Sequence, residues 1–419
     1  MLEISLVLTS GLIVILSLLS RMCSNTYMYV QSIITIEPRM YKYRLYPSHK
    51  QKEYLFNALN TCKEIYNHLL ELSIKTYKFE GKTLGEFDYN KHLTGRYFKV
   101  HSQVKQNVSN RVSKSFKNFF RRTKNPSCKK KGFPRFKSCV HSITYPQTGF
   151  KLVSDRKLFV SKIGNIPIVL HRTLKGKIKT MTIKVNKVGQ WLAIFSCEVD
   201  APKTVRRCSE KVGIDVGLEH FITVSNGEIV KNPHHIKRAE ERLKRLQRRV
   251  SRKVKESHNR KKTVHLLAIQ HVKVVNMRMD FLHKLSRTMT ERYNFIAVED
   301  LNVNGMVHNH FLAKYITDAS WNVFIKMLEY KAVTSGSILI KVNPRNTSRT
   351  CSRCGAVAEK SPYQRMFSCS VCGFACDRDL NASINILKVG QDLSEPNARG
   401  HSVRPPSSVV AVVDEPGTI

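Results

Sequence analysis

The stretch CSRCGAVAEKSPYQRMFSCSVCGFACDRDLNASIN, Cys351 to Asn385, decides how this chain reads. Two Cys-x2-Cys pairs, Cys351/Cys354 and Cys369/Cys372, stand 14 residues apart, and a glycine, Gly355 or Gly373, follows each. Four thiols so arranged predict a tetrahedral zinc site. Four sulfurs leave no coordination position open, so the zinc is structural. Cys376 breaks the paired spacing and reads as a spare thiol. The acidic turn Asp377-Arg378-Asp379 follows at once and opens a helix expected over Leu380 to Lys388. Asp377 reads as the helix cap, and Asp379 as a carboxylate held where a second, hard metal could use it.

Two further acids stand in unusual settings. Asp215 lies inside the apolar strand Gly213-Ile214-Asp215-Val216-Gly217, and Glu299 ends the apolar run Phe295 to Val298. A carboxylate among such neighbours is costly to bury without a partner. Singly, Asp215 could be a turn residue, Glu299 a strand terminus and Asp379 a capping acid. As a set in the order Asp, Glu, Asp, they suit hydrolysis of a phosphodiester by two magnesium ions about 3.5–4 Å apart, with manganese as a substitute. Asp300 is a neighbour that could be mistaken for a ligand.

Composition agrees with that chemistry. Among 419 residues, 71 Lys+Arg against 31 Asp+Glu give a net charge of +40, which points to nucleic acid as partner. Eleven cysteines, seven of them outside the close pairs, suggest a reducing compartment and bound metal rather than disulfides. The expected location is cytoplasmic and nucleoid-associated, with no membrane partner. Ile4 to Leu19 is almost wholly apolar but short for a span of about 20 residues, and Glu3 stands where a signal peptide is basic. The favoured reading places residues 1–39 upstream of a true start at Met40 (or Met22 or Met28). The alternative is a membrane anchor, with Arg21 keeping the rest in the cytosol.

Along the chain, Met40 to Tyr46 predicts a strand. Ser48 and Gln51 predict a capping box for a helix with Leu55, Leu59, Cys62, Tyr66 and Leu69 on one face. A second amphipathic helix is expected from Lys99 to Arg122. Lys129 to Lys137 mixes cations and aromatics, as either a base-stacking loop or a solvated loop with two buried rings. Val140 to Val199 reads as strands. Lys211 to Val216, Phe221 to Ser225 and the Asn226-Gly227 turn predict a hairpin meander. Ile236 to Thr290 reads as mostly helical, densely basic up to Lys262, and able either to track a phosphate backbone or simply to face solvent. Asp318 is expected to cap a helix that Gly336 ends.

At these residues the chain resembles the OrfB, or TnpB, proteins of insertion sequences, relatives of type V CRISPR effectors. The matching stretches are Gly213 to Gly217, Ala297 to Val303, Thr347 to Gly355 and Asp377 to Ile386, with weaker matches at Tyr41 to Pro47, Gly132 to Lys137 and Trp321 to Ala332. The resemblance implies a multidomain α/β protein. Its RNase H-like (RuvC) nuclease domain, residues 209–389, would carry Asp215, Glu299 and Asp379 as the catalytic magnesium triad and an inserted zinc ribbon at 346–376. A β-barrel wedge domain (40–47 and 138–208) would be split by a helical recognition domain (48–137), and 390–419 would be a disordered tail. The implied activity is RNA-guided cleavage of a DNA target, with a transposon-derived guide RNA as partner. A strand-joining transposase fits less well, because its usual acidic order is Asp, Asp, Glu. A non-catalytic DNA- or RNA-binding regulator would be expected to have lost one of the acids.

Overall fold

Tyrosines and a leucine alternating with basic residues make the first strand in the computed structural model, which describes residues 36–128, 130–200, 210–306, 308, 310–357 and 364–394. Strand β1 (Ile36–Leu45) buries Tyr41, Tyr43 and Leu45. Helix α1 (His49–Glu80) starts with the expected capping box. The Gln51 N–H donates to Ser48 Oγ at 3.3 Å, and the Ser48 N–H donates to Gln51 Oε1 at 3.0 Å. Its buried face is the predicted one, and Gly81 ends it in the left-handed conformation at φ 67°. After α2 (Glu86–Leu93) comes α3 (Ser102–Lys124), which packs Val104, Val108 and Val112 toward α1. It begins later than Lys99 because His101 caps it, Nδ1 accepting from the Gln103 N–H at 3.3 Å.

Six more strands follow: β2 (Ser142–Tyr145), β3 (Phe150–Ser154), β4 (Lys157–Val160), β5 (Gly164–Val169), β6 (Lys177–Val185) and β7 (Trp191–Asp200). They form a seven-stranded sheet in the order β2-β6-β7-β1-β5-β4-β3, so β1 is paired into the later strands with α1–α3 intervening in sequence. In the loop before β2, Phe133 packs edge-on against Phe116 and Phe119 of α3 yet, like Phe136, stays exposed, so neither ring of the loop is buried.

The chain divides into two compact units, Met1–Lys184 with Leu192–Ala201, and Val185–Trp191 with Pro202–Ile419. The second is built on β8 (Lys211–Val216), β9 (His220–Val224), β10 (Ile229–Lys231), β11 (Phe295–Glu299) and β12 (Ile338–Val342), in the order β10-β9-β8-β11-β12. The first three form an antiparallel meander, and β11 runs parallel to both β8 and β12. Its helices are α4 (His235–Ser251), α5 (His258–Arg292), α6 (Val303–Met306), α7 (His310–Ala319), α8 (Trp321–Ser335) and α9 (Arg378–Ser394). Leu282, Met289, Trp321, Phe324 and Leu328 from α5 and α8 join Val212, Ile214 and Ile296 in one core cluster. Ile386 of α9 packs with Phe295, Ala297 and Val342 in another.

Two expectations change and a third gains detail. The helical run after Ile236 breaks at 252–257, where Glu256 adopts φ 68° and Ser257 caps α5 by accepting from the Arg260 N–H at 3.1 Å. Asp318 is no cap: it lies within α7, buried and paired with Arg278 at 2.9 Å, while Ser320 precedes α8. The last helix runs on to Ser394, past the expected start of the tail. The rest of the tail, residues 395–419, and the apolar segment Ile4 to Leu19 lie outside the described residues. Among the described residues, no helix is long and apolar enough to cross a membrane.

Candidate acidic site and metal centre

The parallel pairing of β8 with β11 sets Ile214 opposite Val298, so Asp215 and Glu299 follow as the next residues at the carboxyl ends of adjacent strands. Asp379 enters from the first turn of α9, which packs across β8. That packing needs a glycine. A Cβ on Gly213 would lie 2.1 Å from the Ser383 carbonyl oxygen and 2.6 Å from the Leu387 nitrogen. Glu299 and Asp379 are thereby brought within electrostatic reach of Asp215. Burial raises the Asp215 carboxyl well above its ordinary value, and the charges of Glu299 and Asp379 add to the rise. Arg378 and the Val216 N–H oppose it. Burial raises Glu299 as well, opposed by a hydrogen bond from Thr347.

The flanking acids sort themselves by their bonds. Asp377 Oδ1 accepts from the N–H groups of Asp379 (2.8 Å) and Leu380 (3.2 Å), the expected capping role. Arg378 donates to Asp379 Oδ1 through Nη2 at 3.2 Å. Asp300 is exposed, its N–H donating to the Val342 carbonyl at 2.8 Å. Two carboxylates whose charges raise the proton affinity of a buried third are suited to share divalent cations with it, which would replace the proton, so the donor set fits hard metal ions.

The four paired cysteines converge within 4.8 Å of one another. Cys351 and Cys372 sulfurs are 3.7 Å apart, and those of Cys354 and Cys369 are 3.6 Å apart. A tetrahedron of sulfurs about 2.3 Å from a central ion has edges of about 3.8 Å, so the cluster is of the right size for a metal. Both halves have the same backbone geometry. Gly355 and Gly373 adopt φ 78° and 69°, and their N–H groups donate back to the Cys351 and Cys369 carbonyls at 2.9 and 3.0 Å. The N–H groups of Cys372 and Val371 hold the Cys369 thiol down at about 6, favouring the thiolate a metal requires. Cys376 lies outside the four-sulfur group, on the small hairpin of β13 (Met366–Ser368) and β14 (Ala375–Asp377), opposite Phe367.

One residue at the acids had no role assigned in the sequence. Thr347 is buried, with its hydroxyl 2.5 Å from Glu299 Oε1 and 3.1 Å from the Pro344 carbonyl oxygen. Elsewhere in this unit, α4 buries Ala239 and Leu243 toward Val274 of α5 and leaves Lys237, Arg238, Arg242, Arg245, Arg248 and Arg249 exposed. A cavity of about 770 Å³ between α4 and α5 is lined by His235, Arg238, Arg242 and Lys284 among others, and by none of the three acids.

These features define a multidomain α/β protein with a convergent acidic site beside a four-thiol centre. The family model of OrfB from IS605-type elements, described as "Probable transposase", matches residues 194–310. A "Cas12f1-like, TNB domain" model matches 321–386, and a "Helix-turn-helix domain" model matches 38–82, where the fold is β1 followed by the single helix α1. A Streptomyces pristinaespiralis protein named "Putative RNA-guided DNA endonuclease" is 32% identical over 385 residues, 88% of this chain and 92% of the relative. An Escherichia coli K12 protein, "Putative RNA-guided DNA endonuclease InsQ", is 27% identical over 370 residues, 84% of this chain and 92% of its own length. Among solved structures, the mini-RNA-guided endonuclease CRISPR-Cas_phi3 aligns over 86% of this chain and 94% of its own, at 10% identity and a TM-score of 0.49, too loose a likeness to bear on the fold. The chain belongs to the OrfB (TnpB) family.

Proposed function

We propose that this protein is an RNA-guided DNA endonuclease of a transposable element, as its curated relatives are named. Asp215, Glu299 and Asp379 are the metal-holding carboxylates of an RNase H-like nuclease domain. Cys351, Cys354, Cys369 and Cys372 hold a structural zinc in a ribbon inserted between β12 and α9. The observation that carries the reading is the convergence of two desolvated acids from neighbouring strand ends with a third from a helix start, whose charge reaches Asp215. Magnesium bound there would supply the positive charge that activates water and stabilises the leaving oxygen of a phosphodiester. The protein's part is to hold the carboxylates in place before substrate arrives. The meander fixes Asp215, the parallel pairing fixes Glu299, and the Asp377-capped start of α9 fixes Asp379.

The partners are a DNA target and a transposon-derived guide RNA. The exposed arginines and lysines of α4 suit phosphate contacts that do not depend on sequence. The seven-stranded sheet is assigned as the wedge domain and α1–α3 as the recognition helices. The test is cleavage of a guide-matched plasmid by protein purified with its co-expressed RNA. Asp215→Ala is expected to abolish cutting while leaving RNA binding intact. Wild-type cutting by that variant would reject the assignment.

A further inference from the structure

The segment joining the acids to the cysteines is held at nearly every residue. On α9, Asn381, Asn385 and Lys388 share one face at spacings of four and three. Asn381 Nδ2 donates to the Thr350 carbonyl at 2.7 Å, and its Oδ1 accepts from the Ser352 N–H at 2.9 Å. Asn385 Nδ2 donates to the carbonyls of Thr347 (2.8 Å) and Thr350 (2.7 Å), and Lys388 Nζ donates to the Ser352 carbonyl. Asn381, Asn385, Thr347 and Ser352 are all at least 94% buried. At one end of this short segment is Cys351, a member of the sulfur cluster. At the other is Thr347, whose hydroxyl meets Glu299.

A threonine hydroxyl has one proton to give, and the Glu299 carboxylate oxygen is the nearer of its two acceptors. The last torsion of a glutamate side chain is broad and roughly two-fold, so an isolated carboxylate at a strand end turns freely. A hydrogen bond to one oxygen from a buried, clamped donor removes that freedom.

We propose that Thr347 is a positioning residue for Glu299, fixing its carboxylate plane, and that the Asn381–Asn385 clamp holds Thr347 there in step with the cysteine cluster. The role rests on Glu299 being a metal-holding acid. Through this segment the four-thiol centre acts on the acidic site: whatever loosens residues 347–352 frees Glu299 to rotate.

The test compares Thr347→Val, which keeps the shape and removes the hydroxyl, with Thr347→Ser, which keeps the hydroxyl, in the protein–RNA complex. Plasmid cleavage is titrated with magnesium, manganese binding is read by electron paramagnetic resonance, and zinc is counted by elemental analysis. Thr347→Val is expected to weaken manganese binding and lower the maximal cleavage rate by about 10–100-fold, with zinc content unchanged, and Thr347→Ser to recover most of both. Thr347→Ala, which removes the hydroxyl without adding bulk, gives the same reading should the valine variant not fold. Wild-type metal binding and cleavage by Thr347→Val beside an inactive Asp215→Ala would overturn the positioning role alone. Loss of zinc from Thr347→Val would also overturn it, by making the residue part of the ribbon's own stability. An active Asp215→Ala would instead reject the nuclease reading on which the proposal stands.

Discussion

Replacing Gly213 by alanine tests whether α9 and β8 form one rigid frame for the acids. The added Cβ would lie 2.1 Å from the Ser383 carbonyl oxygen and 2.6 Å from the Leu387 nitrogen, both backbone atoms of a helix that cannot swing aside as a side chain would. Ordinary contact needs roughly 3.5 Å, so the helix must retreat by about 1.4 Å or the strand must bend by as much. Overpacking of this kind costs about 1–3 kcal/mol, which a unit with this much buried core should survive. Geometry suffers more. Asp215 is two residues along the same strand and Asp379 is four residues before Ser383, so the retreat is delivered to the gap between two of the three acids. A misplacement of about 1 Å at a reacting centre costs on the order of 100-fold in rate. The expected result for Gly213→Ala is a folded protein with a modestly lowered melting temperature and cleavage reduced about 100-fold. The assay is plasmid cutting beside differential scanning calorimetry. A variant that cuts within about twofold of wild type would refute the claim that close packing of α9 sets the acids' spacing.

Three other outcomes follow from the same structure. Stripping metal from the four cysteines, or Cys354→Ser, should release zinc and cost cleavage in proportion, read by elemental analysis and plasmid cutting on the same samples. Asp318→Asn removes one partner of a pair whose side chains are only 10% and 9% exposed, so it should destabilise by about 3–5 kcal/mol in denaturant titration, and an Arg278→Met/Asp318→Leu double variant should recover most of that. Burial first, and then Arg287, hold the Lys331 ammonium down at about 8, against 10.5 when exposed. The unfolded chain keeps that proton between about pH 8 and 10.5, so folding gains stability as pH rises through this window. Relative to Lys331→Met, wild-type stability should be flat below pH 8 and improve above it; a difference that stays flat to pH 10.5 would contradict the burial argument.

What the sequence made legible was whatever depends on near neighbours. The Ser48–Gln51 box, the Asn226-Gly227 turn, the Gly336 end of α8 and the two cysteine knuckles all depend on residues a few positions apart, and all formed. The acids could be picked out because each broke a local rule, a charge within or at the end of an apolar strand. What stayed hidden depends on distant partners. Asp318 precedes α8 in sequence and so looked like a cap, but Arg278, 40 residues earlier, claims it. Thr347 and Glu299 are 48 residues apart, and nothing in the pattern around either predicts their bond. The mostly helical run from Ile236 held, but its break at 252–257 could not be placed, because Glu256 carries a left-handed conformation that its residue type does not announce.

The position of the cysteine cluster follows from a topological problem. β11 and β12 lie side by side, so Glu299 is fixed by the sheet, but Asp379 must return from Val342 through residues 343–377 before α9 can pack over β8. Among its described residues, that connection holds the β13–β14 hairpin and a bridge between Thr350 and Val357, and ordering so long a connection costs conformational entropy at every residue. Four cysteines closing on one point divide the connection into shorter stretches, residues 343–350, 355–368 and 373–377. Asn381 and Asn385 then tie its entry to the helix at its exit. The entry also carries Thr347, so the ordering that delivers Asp379 is the same ordering that holds Glu299. A substitution in the knuckles should therefore reach both Glu299 and Asp379, whereas one at Gly213 acts on the gap between Asp215 and Asp379.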